Sequence, residues 1–220
     1  TTKFTGKFSG DGHIVSNFKI NKPKEDNMGL FGYNCGSIMY LGVENASVTG
    51  KDNTGGVCGR NGRKVVGCYS AATVSGSSGV GGVCGFNGSV GAIENCYSMS
   101  TVNGKNKVGG VCGISQEIST VSYCYNTGKV SGDTDVGGIG GYIMWGKIDN
   151  CYNTGAISGT TNVGGISGNN YMNGNGGSFT ERCYNTGTVS GRKNVGGVCG
   201  TCSNNVSTVI TNCYYNRDVC

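Results

Sequence analysis

The chain has 220 residues, with 44 glycines, 13 cysteines, a single proline and a formal net charge of +5 from 17 basic and 12 acidic residues. Glycine at this level often means disorder, but proline is nearly absent and the glycines fall at fixed offsets, which is turn chemistry in an ordered fold. Like charges never run to five or six (the densest patches are Lys22-Pro23-Lys24 and Arg192-Lys193), and no apolar stretch reaches bilayer length; neither nucleic-acid binding nor membrane insertion is expected.

In chain order, residues 1–27 read as a lead-in that caps one end. Thr1 opens directly in strand-like sequence, with no charged segment before an apolar run, which predicts a piece of a longer chain. Residues 28–214 form a repeat, and residues 215–220 a closing segment, all within one continuous domain. The repeat has three phrases in phase. Gly-Gly-Val-Cys-Gly stands at 55–59, 81–85, 109–113 and 196–200, with Gly-Gly-Ile-Gly-Gly at 137–141, Gly-Gly-Ile-Ser-Gly at 164–168 and the shorter Gly29-Leu30-Phe31-Gly32 at the head. The closing glycines advance by 27, 26, 28, 28, 27 and 32 residues. Cys-Tyr pairs follow at 68–69, 96–97, 124–125, 151–152, 183–184 and 213–214, and Val-Ser-Gly or a variant completes each unit.

Each unit therefore offers three short apolar pieces closed by glycine or a polar turn. Such pieces are too short for helices, and their Val, Ile, Thr and Tyr content suits strands. One unit cannot bury its own apolar side, so the units must stack. The prediction is a parallel β-solenoid of seven to eight turns of ~27 residues, three strands to a turn, rising ~4.8 Å per turn. Glycine is expected at the corners, where positive φ is needed. The long step contains the stretch from Asn169 to Gly177, which reads as a loop bulging from the rod.

Catalytic chemistry is sparse. The one histidine, His13, lies in the lead-in: a two-histidine metal site cannot be built, and Ser-His-acid or Cys-His hydrolysis would have to use His13 as its base, whereas His13 reads as a cap residue with its ring packed or hydrogen-bonded. Among the carboxylates, Glu94 and Asp149 occupy equivalent places two repeats apart with Ser122 between them. Two rungs give ~10 Å, at or beyond the limit for an inverting glycosidase pair. Asp133-Thr134-Asp135 is too sparse for a calcium loop. No cofactor is expected.

The cysteines form two ladders. One holds Cys58, Cys84, Cys112 and Cys199, with Gly140 and Ser167 substituting in two turns; the other holds Cys68, Cys96, Cys124, Cys151, Cys183 and Cys213. Cys35, Cys202 and Cys220 stand outside both. Only Cys199-Gly200-Thr201-Cys202 has Cys-x-x-Cys spacing, with no second pair to complete a zinc site. In-register stacking holds neighbouring Cβ atoms ~4.8 Å apart, wider than a disulfide prefers. Most of these residues are therefore read as buried thiols acting as small hydrophobes. The alternative is a partly disulfide-bonded rod. The odd total leaves at least one thiol outside intrachain pairs. If the ladder-two cysteines face inward, Tyr69, Tyr97, Tyr125, Tyr152, Tyr184 and Tyr214 face outward as an aromatic column. That column either stacks on itself or offers a ligand face to sugars or a protein. The Asn-Thr-Gly runs at 126–128, 153–155 and 185–187 read as turns.

The units resemble GLUG repeats, named for a Gly-Leu-apolar-Gly core that Gly29-Leu30-Phe31-Gly32 and the Gly-Gly-Val-Cys-Gly phrases follow. The segment from Phe4 to Phe18 is similar to the lead-in of such arrays. The resemblance covers nearly all of residues 4–214; the cysteine at a core position departs from it. It implies a right-handed parallel β-helix in an extracellular or bacterial cell-surface setting, in secreted proteins of the adhesin type. Some immunoglobulin A peptidases carry these repeats beside a separate metalloprotease domain, and the repeat itself brings no catalytic residues. The leading expectation is a non-catalytic structural and adhesive module whose partner is a host or cell-surface protein or glycan. The alternatives are a carbohydrate-binding or carbohydrate-cleaving β-helix, and a filament subunit that associates end to end through open terminal rungs.

Overall fold

The computed structural model describes residues 2–172, 177–202 and 208–219. Apart from a 3-10 turn at Arg217–Val219, the described elements are short strands. They pair in parallel, each with its counterpart one period along the chain, in a solenoid of about seven turns. One lap shows the plan. Ser78–Gly81 lies on a first face, Cys84–Asn87 on a second and Ala92–Glu94 on a third. Tyr97–Ser98 and Thr101–Asn103 form the two halves of a fourth. In lap order these faces hold six, eight, eight and thirteen strands.

A lap therefore has five strands on four faces, where three strands were expected. One extra strand is Ser78–Gly81, leading into the glycine phrase; the other is Ala92–Glu94 and its equivalents. The latter carries one inward apolar residue, Ile93, between two outward ones, with neither glycine nor cysteine to mark it. The stacked partners of Ile93 are Val65 and Val121, and all three are sealed in the core. The Cys-Tyr pairs are vertical neighbours: Tyr69 lies against Tyr97, Tyr97 against Tyr125, Tyr125 against Tyr152, Tyr152 against Tyr184 and Tyr184 against Tyr214.

The ends and the long lap also differ from expectation. The lead-in is itself a lap: Lys3–Phe4, Lys7–Ser9, Ile14–Ser16 and Lys19–Asn21 each pair in register with the strand one period later. Of the residues read as a bulging loop, Asn169, Asn170 and Tyr171 belong to the strand Ser167–Tyr171. Residues 173–176 lie outside those described. The stack resumes at Ser178–Glu181, which pairs with Lys147–Asp149. At the other end only Tyr214–Tyr215 is strand, and Arg217–Val219 turns away as 3-10 helix.

The glycines have a different role from the one expected. At the corner before each Cys-Tyr pair, and before Leu41-Gly42 at the same place in the first of these laps, positive φ falls on Tyr40, Asn95, Tyr123, Asn150, Arg182 and Asn212, and on a glycine only at Gly67. A second positive-φ column runs through Asn27, Asn53, Lys107, Asp135, Asn162 and Asn194, with Gly79 its one glycine. Asparagine tolerates this region through local hydrogen bonding. The phrase glycines are required by close approach. A Cβ on Gly82 would collide with the Gly110 carbonyl of the next lap and with the Ser98 side chain; one on Gly85 would run into the Asn53–Thr54 backbone of the previous lap. At Gly62, by contrast, a Cβ would meet nothing nearer than 3.6 Å.

The core is a set of vertical columns. Val80, Val108, Val136 and Val163 form one; Val57, Val83, Val111, Ile139 and Ile166 another; Val74, Val102, Val130 and Ile157 a third, all sealed from solvent. Two buried polar columns interrupt them. Asn34 donates to Asn61 Oδ1 and Asn61 to Asn87 Oδ1, each at 2.8 Å. Asn126 donates to Asn153 Oδ1 and Asn153 to Asn185 Oδ1, again at 2.8 Å. In the Asn-Thr-Gly segments, read as turns, the asparagine ends a strand (Tyr125–Asn126 in one lap) and the chain bends at the glycine, where Asn126 Nδ2 donates to the Gly128 carbonyl at 2.9 Å. They also form an inter-lap ladder, each buried bond contributing about 1 kcal/mol.

Gly82→Ala should therefore lower unfolding free energy by about 3 kcal/mol, the scale of overpacking in a closed site. Gly62→Ala should change it by less than about 0.5 kcal/mol. Urea denaturation followed by circular dichroism checks both, and equal effects would contradict the close-approach account.

Candidate functional site

The tyrosine column sits on the fourth face; from Tyr69 to Tyr184 each ring follows an inward cysteine and precedes an inward serine or asparagine. From Tyr69 to Tyr184 the rings stack on one another, with centroids 4.8, 4.7, 4.8 and 5.0 Å apart and planes within 6°. At one end the Tyr69 ring covers Gly42, where a Cβ would strike it, and Tyr69 Oη donates to Glu44 Oε1 at 2.6 Å. At the other end Tyr214 pairs in register with Tyr184 and is 70% exposed. The faces of the inner rings are thus occupied by neighbouring rings, and the outward surface shows ring edges and hydroxyls. Stacking on a sugar requires an open ring face, the electron-rich side of the quadrupole. This geometry does not supply one along the column.

Beside the tyrosines runs a column of outward residues, each two positions before a ladder-two cysteine. Glu94 stacks on Ser122, Ser122 on Asp149 and Asp149 on Glu181. Glu94 and Asp149 are therefore two strands apart, with Ser122 between them. Sequence reasoning missed Glu181 as the immediate neighbour of Asp149. The signal was present, because Glu181 precedes Cys183 by two residues just as Asp149 precedes Cys151, but the longer lap hid it. Two cations hold the pair together. Lys147 Nζ lies 2.9 Å from Glu181 and 3.6 Å from Asp149; Arg182 lies 2.6 Å from Asp149 and 3.5 Å from Glu181. The Glu181 bond raises the Lys147 pKa above the usual lysine range. Asp149 Oδ1 is buried and accepts no hydrogen bond.

A shallow groove of ≈ 500 Å³ follows the kink between the two halves of the fourth face. Its lining (Asn45, Ala46, Ser47, Ala71, Ala72, Thr73, Met99 and Thr101) includes neither charged nor aromatic side chains.

The cysteine columns stack as the phrases imply. Cys58, Cys84 and Cys112 are consecutive, followed by Gly140, Ser167 and Cys199. The described cysteines are free thiols; Cys68, Cys96, Cys124, Cys151 and Cys183 are sealed in the core, and Cys213 is half-buried. Each ladder-two sulfur bonds the carbonyl two residues before it, as Cys124 Sγ does to Ser122 at 3.1 Å. Burial and the neighbouring thiols push Cys112 and Cys124 well above the ordinary thiol range. Cys220 lies outside the described residues. Among those described, no group of three or more His, Cys, Asp or Glu is placed to hold a metal ion, and no helix is long and apolar enough to cross a membrane.

The tyrosine stack predicts a pH dependence. The bond to Glu44 raises Tyr69 to about 12, and desolvation raises Tyr97, Tyr125 and Tyr152. A raised folded-state pKa means the unfolded chain loses its phenolic protons first. This contribution to stability is complete below about pH 10, the unfolded tyrosine value, and is lost as pH rises through the folded values. Absorbance titration at the phenolate band should show Glu44→Gln moving one tyrosine to lower pKa. An unchanged curve would mean that the Tyr69–Glu44 bond does not form.

Comparison with known proteins agrees with this architecture. Residues 132–158 match the family model described as the GLUG motif. Halomucin of Haloquadratum walsbyi is 43% identical over 58 residues, 26% of this chain and 1% of Halomucin. The chain therefore spans a very small part of that relative. A Bacteroides ovatus protein, whose crystal structure is described as that of a candidate immunoglobulin A1 protease, superposes with a TM-score of 0.69 at 25% identity. The match covers 96% of this chain and 68% of that one. Residues 132–158 make one complete lap, from the strand Thr134–Gly137 to Ile157–Ser158. The chain matches the GLUG motif in that lap, and the neighbouring laps repeat its register.

Proposed function

We propose that the chain is a non-catalytic, extracellular structural and adhesive module of a bacterial surface or secreted protein. It acts as a stiff rod that displays its outer faces to a host or cell-surface protein. The observation that carries this reading is the unbroken in-register stack on the second face, from Lys3–Phe4 to Cys199–Cys202. A fold that devotes every lap to continuing its neighbour provides length and rigidity. The immunoglobulin A1 named for the structural neighbour is a secreted antibody, which supports an extracellular setting. A protein partner suits the outer surface better than a glycan does. The inner tyrosine ring faces are occupied, and the groove beside them has no aromatic side chain to stack on a sugar.

One observation favours carbohydrate cleavage as a second reading. Asp149 and Glu181 stand on adjacent strands, ~4.8 Å apart along the stack, near the ~5 Å of a retaining glycosidase pair. Lys147 and Arg182 engage both carboxylates, an arrangement suited to a structural ion cluster. Beads coated with the chain should adhere to epithelial cells, lose adhesion when the cells are treated with protease, and keep it after deglycosylation. The purified chain should release no reducing ends from a polysaccharide panel and no fragments from immunoglobulin A1. Sugar release abolished by Glu181→Gln would select the second reading, and immunoglobulin cleavage would overturn the non-catalytic one.

A further inference from the structure

Ladder cysteines stack on their counterparts in neighbouring laps. One pair departs from that arrangement. Cys199 and Cys202 lie on a single strand, separated by Gly200 and Thr201. Residues three apart on a flat strand face opposite sides. Here the strand bends at the glycine, and the residues flanking the bend both point inward: Cys58 with Asn61, Cys84 with Asn87 and Cys112 with Ser115 are all buried. In the last described lap Cys199 pairs with Ser167, and Cys202, standing where the earlier laps place asparagine, serine or, at Ile143, an apolar residue, pairs with Asn170. The bend thus sets two thiols side by side, with sulfurs 3.2 Å apart. Both are half-buried, whereas Cys58, Cys84, Cys112, Cys96 and Cys124 are sealed.

We infer that Cys199 and Cys202 form a redox-active dithiol, which exchanges with low-molecular-weight disulfides and closes to an intrachain disulfide. The Cys202 thiolate attacks one sulfur of the external disulfide, breaks its S–S bond and expels one thiolate. The Cys199 sulfur then attacks Cys202 Sγ in the mixed disulfide and displaces the second. Two protein thiols are oxidised, one external disulfide is reduced, and the two protein protons end on the two released thiols. The sulfurs must approach by about 1 Å to reach covalent length. The roles follow from the contact between them: the Cys199 hydrogen bond lowers the Cys202 pKa, and the same bond raises that of Cys199. The more readily ionised thiol attacks first.

The test is to incubate the full chain with glutathione disulfide, quench with acid, unfold, alkylate and map the peptides by mass spectrometry. The peptide holding Cys199 and Cys202 should be lighter by two hydrogens and resist alkylation, while Cys58, Cys84, Cys112, Cys96 and Cys124 become alkylated on unfolding. Cys199→Ser should stop at a glutathione adduct on Cys202. Cys202→Ser should be modified at Cys199 at least about ten-fold more slowly. Two alkylated thiols in the wild-type peptide, or a glutathione adduct that never resolves, would overturn the dithiol. Equal adduct rates in the two variants would overturn the assignment of Cys202 as the attacking sulfur.

Discussion

In-register parallel pairing makes each residue the vertical neighbour of its own counterpart, one strand spacing away. Like must therefore stack on like, and only side chains that tolerate their own kind at that distance can repeat. Valine and isoleucine do so by apolar packing. Asparagine does so because its side chain is both donor and acceptor, so Asn126, Asn153 and Asn185 form a chain of 2.8 Å bonds inside the core. Tyrosine does so by parallel ring stacking. Carboxylates do not, because like charges in register repel. The column through Glu94, Ser122, Asp149 and Glu181 shows the consequence. Where acids are separated by a serine no cation intervenes between them; where Asp149 and Glu181 adjoin, Lys147 and Arg182 bridge the pair. The low charge content of the chain fits the same rule.

Cysteine fits this scheme as a small side chain with a weak donor. Each ladder-two thiol bonds a carbonyl of its own lap, and Cys124 and Cys151 also reach the Ile93 and Val121 carbonyls of the lap before at 3.6 and 3.5 Å, so the column is satisfied by backbone without a disulfide. The glycines answer to the same vertical geometry. At Gly82 the backbone of the next lap occupies the space a side chain would take. Glycine at this site is therefore a condition for stacking the laps, and the bend it permits is secondary.

The repeat, its parallel stacking, the two cysteine columns and the tyrosine column were legible because glycine, cysteine and tyrosine recur at fixed offsets and act as markers; the same markers do not decide whether the rings stack on one another or face a ligand. The third face was not, because Ala92-Ile93-Glu94 has no marker and its single inward residue reads as part of a loop. Positive φ was assigned to glycine on general grounds, yet Tyr40, Asn95 and Arg182 adopt it at one corner because the whole lap over-determines that turn. The Asp149–Glu181 pair was hidden by chain length: counting from the closing glycines places Glu181 out of step, whereas counting back from Cys183 places it correctly. Register is local to each strand, so the nearest phrase is the proper ruler.

This logic also indicates where differences between laps can arise. The interior demands repetition, so individuality is confined to corners, outward columns and ends. Ile118 illustrates the corner case: a β-branched residue at φ 64, 81% exposed, it is conformationally unfavourable and projects apolar surface beside Trp145 and Phe179. Arg182 illustrates the outward case, entering a column otherwise held by asparagine, glycine and tyrosine just where two acids need a counter-charge. Cys202 illustrates the end case: a half-buried thiol adjacent to another thiol, at a position that the earlier laps fill with asparagine, serine or isoleucine. In a solenoid of near-identical laps, the residue that breaks its column carries information that the repeat cannot.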